Sequence, residues 1–157
     1  MPGSVTQDKE HERVWNEYRE AVLEFPAARM TIDLRRAISD DAREGLRQLG
    51  PDKSFAVVTA ENPHGRDAEP ALNERRAREL EDELRRRGVR FVRADGCSAN
   101  QTHRERGVAL WLDRETALEV ARSRAQLALY WFDGDAFWLV PAAGGREAER
   151  LPGSGVP

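Results

Sequence analysis

The run Phe55-Ala56-Val57-Val58-Thr59-Ala60 constrains the fold more than any other part of the chain. It is apolar at both odd and even positions, so a strand made from it presents an apolar surface on each face. Such a strand needs cover on both sides and belongs in the middle of a sheet. The run stops abruptly at Glu61-Asn62-Pro63, which opens a polar loop reaching Asp67. A strand ending in a polar loop before a helix is where α/β proteins usually place a binding site. A second polar cluster, His103-Arg104-Glu105, leads into another strand-like run and is expected to converge on the same mouth.

Periodicity places the other elements around this strand. Trp15, Tyr18, Val22 and Phe25, with Val14 and Leu23 alongside, form one apolar stripe of a helix over Asp8–Phe25, closed by Pro26. Met30, Ile32 and Leu34 alternate with polar residues as in a half-buried strand. Ser39 suits the N-cap of a short helix that buries Ala42, Leu46 and Leu49 and stops at Gly50-Pro51. A longer helix over Glu69–Arg87 has Leu72, Ala77, Leu80 and Leu84 on one side, with Pro70 in its first turn and Gly88 after its end. A strand over Val89–Val92, a polar loop over Ala94–Thr102 and a strand over Arg106–Leu112 follow, and Asp113 caps a helix over Arg114–Arg124. Leu127–Phe132 and Ala136–Val140 flank Asp133-Gly134, the signal of a type I′ hairpin.

Helices and strands interleave, yet the hairpin demands antiparallel pairing. The expected fold class is therefore α+β: a mixed, largely antiparallel sheet of five to six strands with helices packed mainly on one face. The domain is expected to span residues 8–141. Residues 1–7 and 142–157, rich in small, polar and Pro/Gly residues, are expected to be disordered.

Charge narrows the function classes. Charged residues make up 34% of the chain and its net charge is −3, with 23 Arg against 2 Lys. Arg75-Arg76 and Arg85-Arg86-Arg87 alternate with Glu74, Glu79, Glu81, Asp82 and Glu83, the pattern of a solvated helix face rather than of a nucleic-acid surface. No run is long enough to cross a bilayer and no signal-peptide core opens the chain, so a cytoplasmic location is expected. The single Cys97 has no partner for an internal disulfide. It also lacks the local signature of a thiol nucleophile, and His64, Cys97, His103 and Glu105 match no metal-ligand spacing. Neither a metal nor a cofactor is expected, and the sequence leaves the oligomeric state open.

The residues able to carry chemistry gather around the two polar clusters. Asn62 precedes Pro63, which favours an extended backbone there; its amide either recognises a ligand or ties down its own loop. Asn73 lies beside the apolar stripe of its helix, so it needs a hydrogen-bond partner, and the Asn62 loop is the nearest candidate. Arg66 and the first turn of that helix are placed to answer an anionic group. His103 and Glu105 share one face if the strand extends to them, as an acid/base couple or as an ordinary ion pair. The sequence thus assigns ligand binding to Thr59, Asn62, Arg66, Asn73 and Gln126, and catalysis, if any, to His103 and Glu105.

The same residues carry a resemblance. Phe55–Pro63, with its Thr59-Ala60-Glu61-Asn62-Pro63 ending, resembles the TA-x-NP segment of the bacterial domain-of-unknown-function family 3293. Asn73, the Gly96 loop, His103-x-Glu105, and Gln126 followed by Trp131 agree in order, over roughly Tyr18 to Val140. Glu61 and Arg104 depart from that pattern, standing where a bulkier or basic residue and a proline are usual. The resemblance implies no activity, but it implies one polar network of Asn62, Asn73, His103, Glu105 and Gln126. Three readings follow: a domain binding a polar small molecule or nucleotide-like metabolite; a hydrolase or transferase with His103 and Glu105 as acid/base; and a regulatory or protein-interaction module whose network is purely structural.

Overall fold

The computed structural model describes residues 5–62 and 66–153. Residues 1–4 and 154–157 of the ends expected to be disordered, and His64 of the discounted metal set, lie outside the described residues; residues 5–7, also expected to be disordered, form the start of the first helix instead. The elements are α1 (Val5–Arg19), β1 (Val22–Phe25), a 3-10 turn (Pro26–Ala28), β2 (Met30–Asp33), α2 (Asp40–Arg47), β3 (Phe55–Thr59), α3 (Pro70–Arg86), β4 (Phe91–Arg93), β5 (Asp95–Cys97), β6 (Arg104–Glu105), β7 (Gly107–Leu110), α4 (Arg114–Ser123), β8 (Ala128–Phe132), β9 (Phe137–Pro141) and β10 (Glu149–Arg150). The protein is α+β, with two sheets where one was expected. One has the order β10-β9-β8-β3-β7-β4 and the other β2-β1-β5-β6, and every described pairing is antiparallel.

The apolar run does become a central strand, with β3 between β8 and β7. Its alternate side chains serve two cores. Ala56 and Val58 pack with Leu80 and Leu84 of α3 and with Ala117, Leu118 and Ala121 of α4. Phe55 and Val57 face the opposite way, toward Leu23, Phe25 and Ile32 of the smaller sheet, Trp15 of α1 and Leu46 of α2. The Phe55 ring lies 5.3 Å from Phe132 and 6.1 Å from Phe25, centroid to centroid, and so joins the two sheets. The helices are thus divided between the two sides of the larger sheet rather than gathered on one.

The sheets are linked by strands that pass from one to the other, the way corners form in packed-sheet folds. β4 belongs to the larger sheet and β5 to the smaller, with only Ala94 between them. β6 and β7 make the return crossing at Arg106. At this corner the Ala94 amide donates to the Gly107 carbonyl at 3.0 Å. A Cβ on Gly107 would stand 2.8 Å from both the Ala94 and Val58 carbonyl oxygens, so the crossing admits only glycine without a shift of backbone. The polar loop expected from Ala94 onward therefore contains a strand, β5, whose pairing comes from distant β1.

Three further expectations are corrected. The first helix ends at Arg19, and Val22 and Phe25 lie in β1. Val22, Leu23 and Phe25 are buried on both sides of a strand held between β2 and β5, so tertiary pairing overrides a helical spacing too short to be decisive. The segment after Pro141 is not loose over residues 142–153. β10 pairs with β9, Ala142 and Leu151 are buried, and Glu149 accepts two hydrogen bonds from Arg19 at 3.0 and 2.9 Å. In the closing hairpin, Asp133 and Ala136 bracket the loop and Gly134 alone has positive φ, the pattern of a type II′ turn instead of type I′. The helix signals hold: Ser39 and Asp113 cap α2 and α4 through their side chains, and Pro70 opens α3.

Candidate functional site

A hollow of about 450 Å³ lies between the two sheets beside α1, within the range of small-molecule pockets. Its floor is apolar and buried, built from Leu23, Val57, Ala94, Ala128 and Tyr130. Its rim is exposed and polar, including Glu17 and Glu20 of α1 or just after it, Asp67, Asn100 and His103. The strand pairing explains why space exists. Leu23, Gly96 and Glu105 lie directly opposite one another on β1, β5 and β6, so their side chains share a face. Gly96 contributes no side chain to that row, and a Cβ placed there would meet nothing within 4 Å.

The Asn62 loop closes one end of the hollow. Asn62 has φ +47°, a left-handed conformation instead of the extended one expected before proline. Asparagine tolerates this region better than most residues, and its surroundings hold it there. The Asn62 amide N–H donates to Asn73 Oδ1 at 2.9 Å, Asn73 Nδ2 donates back to Asn62 Oδ1 at 2.8 Å, and the Ala68 amide donates to the same Oδ1 at 3.0 Å. The remaining donor, Asn62 Nδ2, reaches Glu105 Oε1 at 2.6 Å. Two asparagines and a glutamate distant in sequence are thereby joined, three of the five residues expected in one polar network.

The other predicted residues divide. Gln126 is buried and donates to the Glu61 carbonyl at 2.9 Å, locking the start of the same loop. Thr59 lines the hollow, but its hydroxyl is committed: it donates to the Arg106 carbonyl and accepts from the Glu61 amide, both at 3.0 Å. Arg66 is exposed and does not line the hollow. His103 stands exposed on the rim, tied to Ser98 through its backbone. Among the described residues no hydrogen bond or ion pair joins it to Glu105. The carboxylate that was to orient an imidazole is oriented instead by the Asn62 amide.

Glu105 is the most unusual group in the hollow. Burial, opposed in part by the Asn62 hydrogen bond and reinforced by the charges of Glu61, Glu17 and Asp67, raises its carboxyl to about 7. Only Oε1 is engaged; among the described residues Oε2 accepts no hydrogen bond. Two tyrosines share the wall. Their rings are 5.9 Å apart in an edge arrangement, and the Tyr130 hydroxyl donates to the Tyr18 carbonyl at 2.6 Å. Burial pushes both phenols above their ordinary value, so they remain neutral donors. Cys97 also lines the hollow, and burial raises its thiol, which disfavours the nucleophilic thiolate.

Sequence reasoning missed several of these groups. Glu61, placed by the sequence at the start of the polar loop, is buried and accepts the Arg106 amide. Asp95 is fully buried at the sheet corner, bonded by Arg93 at 3.0 and 3.1 Å and by Arg104 at 2.8 and 3.1 Å. The Arg93-x-Asp95 spacing, a basic and an acidic residue two apart, was the available signal. Tyr18 and Tyr130 were assigned to apolar core elements, although a buried phenol always needs a partner and so marks a polar edge.

The protein-family model described as "Protein of unknown function (DUF3293)" matches residues 58–129, a little under half of the chain. That segment contains Asn62, Asn73, Gly96, Glu105 and Gln126, and so carries most of the wall that the smaller sheet and the Asn62 loop give to the hollow. No curated protein and no solved structure shows significant similarity to the chain. Over residues 58–129 the chain is thus similar to the DUF3293 family.

Proposed function

We propose that the protein binds a small polar molecule in the hollow between its two sheets. The observation that carries this reading is Glu105: a carboxylate set in an apolar-floored cavity of about 450 Å³, fixed through one oxygen by Asn62 and with the other left unbonded among the described residues. The fold derives no stability from holding a carboxylate there, so its place is explained by what it can bind. Asn62 and Asn73 act as positioning residues, and Thr59 and Gln126 stiffen the wall. A cytoplasmic setting is consistent with Cys97 as the one, unpaired cysteine. Among the described residues no helix is long and apolar enough to cross a membrane. Most of the arginines whose contacts are described are engaged in ion pairs, which supports a small molecule over nucleic acid.

A second reading has its own support. A carboxyl group at about 7 is poised to take and return a proton near neutrality, so Glu105 alone, with His103 on the rim, suits acid/base chemistry on the bound molecule.

The test uses the gap at Gly96. A thermal-shift screen of polar metabolites is run on the native protein and on Gly96→Leu, whose side chain would occupy the hollow. A ligand at one hundred times its dissociation constant adds about 2.7 kcal/mol of stability. Stabilisation of the native protein that disappears in a folded Gly96→Leu variant supports the reading. Stabilisation that persists in the variant, or none with any compound, refutes it.

A further inference from the structure

The charge of the hollow restricts what it can hold. Four of its lining residues are acidic, Glu17, Glu20, Asp67 and Glu105, against one guanidinium, Arg13. That guanidinium is already engaged, with Nη1 2.6 Å from Glu17 Oε1. Arg66, the cation assigned by sequence to an anionic ligand, is outside. Arg93 and Arg104 are turned to Asp95, and Arg106 makes a two-pronged pair with Glu81 at 2.8 and 3.0 Å. A phosphate or carboxylate entering here would meet like charge with no described arginine or lysine of the lining free to offset it, the His103 imidazole on the rim being the one other basic side chain there, a poor match for a nucleotide.

The opposite charge fits. Glu105 sits in the row whose neighbouring position is the bare Gly96, so a group entering that gap lies beside the carboxylate. The adjoining lining includes Tyr18, Tyr130, Leu23 and Val57, suited to an apolar body and to a cation near an aromatic ring.

We infer that the ligand is a small organic amine, its ammonium group held by Glu105 beside Gly96 and its apolar body lying against Tyr18, Tyr130, Leu23 and Val57. This rests on the hollow being the ligand site. An ammonium donating to a carboxylate in a partly dry cavity makes a charge-assisted hydrogen bond, stronger than a neutral one and dependent on both charges. Glu17 and Glu20 at the rim would draw the cation toward the mouth before that contact forms.

The experiment is calorimetric titration of the full chain with three compounds of one shape: 2-phenylethylammonium, 2-phenylethanol and 3-phenylpropionate. The ammonium compound is expected to bind at least about tenfold more tightly than the alcohol, with the carboxylate weakest. In Glu105→Gln, which keeps size and the acceptor for Asn62, the ammonium and alcohol should bind within about twofold of each other. Gly96→Leu should abolish binding of all three. If the alcohol or the carboxylate equals or exceeds the ammonium compound, and Gly96→Leu still blocks binding, the site stands and the amine inference is overturned. If none of the three binds, the amine inference also fails, and the metabolite screen decides separately whether the hollow is a site. Circular dichroism of both variants establishes that they are folded.

Discussion

Replacing Glu105 by glutamine should stabilise the free protein, and only at the pH where the carboxyl would otherwise be charged. The gap between an ordinary glutamate at 4.5 and Glu105 at about 7 corresponds to roughly 3 kcal/mol at 1.36 kcal/mol per pH unit. Water reaching the carboxyl through the hollow reduces this to about 2 kcal/mol. The sign follows from proton counting. Between about 4.5 and 7 the folded protein keeps a proton that the unfolded chain has released, so stability falls as pH rises and the loss is complete above about 7. Glutamine has the same shape, still accepts from Asn62 and cannot ionise. The variant should therefore match the native protein near pH 4.5 and exceed it by about 2 kcal/mol at pH 8, roughly 4–8 °C in Tm for a domain of this size. Urea denaturation at the two pH values, with the m-value checked for constancy, gives the comparison. A gain of the same size at both pH values, or a loss at pH 8, would refute the reasoning, because neither can arise from a buried ionised carboxylate.

Three other substitutions probe the frame around it. Asn73→Ala removes the acceptor for the Asn62 amide and one of two donors to Asn62 Oδ1; it should cost about 1–3 kcal/mol in urea denaturation, and a change below about 0.5 would mean that the clamp does not hold the loop. Gly107→Ala drives a methyl group against two backbone carbonyls and should cost about 1–3 kcal/mol or more, seen as a lowered Tm; a neutral result would show that the sheet corner can yield. Leu151→Ala, in the segment first expected to be disordered, should cost about 2–5 kcal/mol because the side chain is buried; a surface-like effect would contradict the docking of that segment.

Local signals in the sequence were strong wherever short-range physics decides the structure. The caps at Ser39 and Asp113, Pro70 at the start of α3 and the two-faced apolar run of β3 depend on residues close in sequence, and they appear as expected. What escaped depends on distant partners. β5 contains Asp95-Gly96-Cys97, a poor strand by propensity, and exists because β1 and β6 pair with it. Val22–Phe25 satisfied a helical spacing, and only the pairing with β2 and β5 resolves it as a strand. The site was half legible for the same reason. Asn62 and Glu105 stood out as members of the two polar clusters and Asn73 as a polar residue beside an apolar stripe, and they do meet. Their individual roles depended on contacts that spacing does not encode: the His103 backbone bonded to Ser98, Glu61 turned inward, and Tyr18 brought across from the first helix.

The anchoring of α1 ties the site to the far end of the chain. Arg19, one residue beyond Tyr18, is bonded to Glu149, and the Arg146 guanidinium lies 4.6 Å from the centre of the Trp15 ring. The wall formed by α1 is therefore buttressed from behind by residues that come last in the fold. Shortening that segment or attaching a rigid fusion to it would loosen the Tyr18 side of the hollow without altering any residue inside it, and ligand affinity would change with the length of chain retained after Pro141.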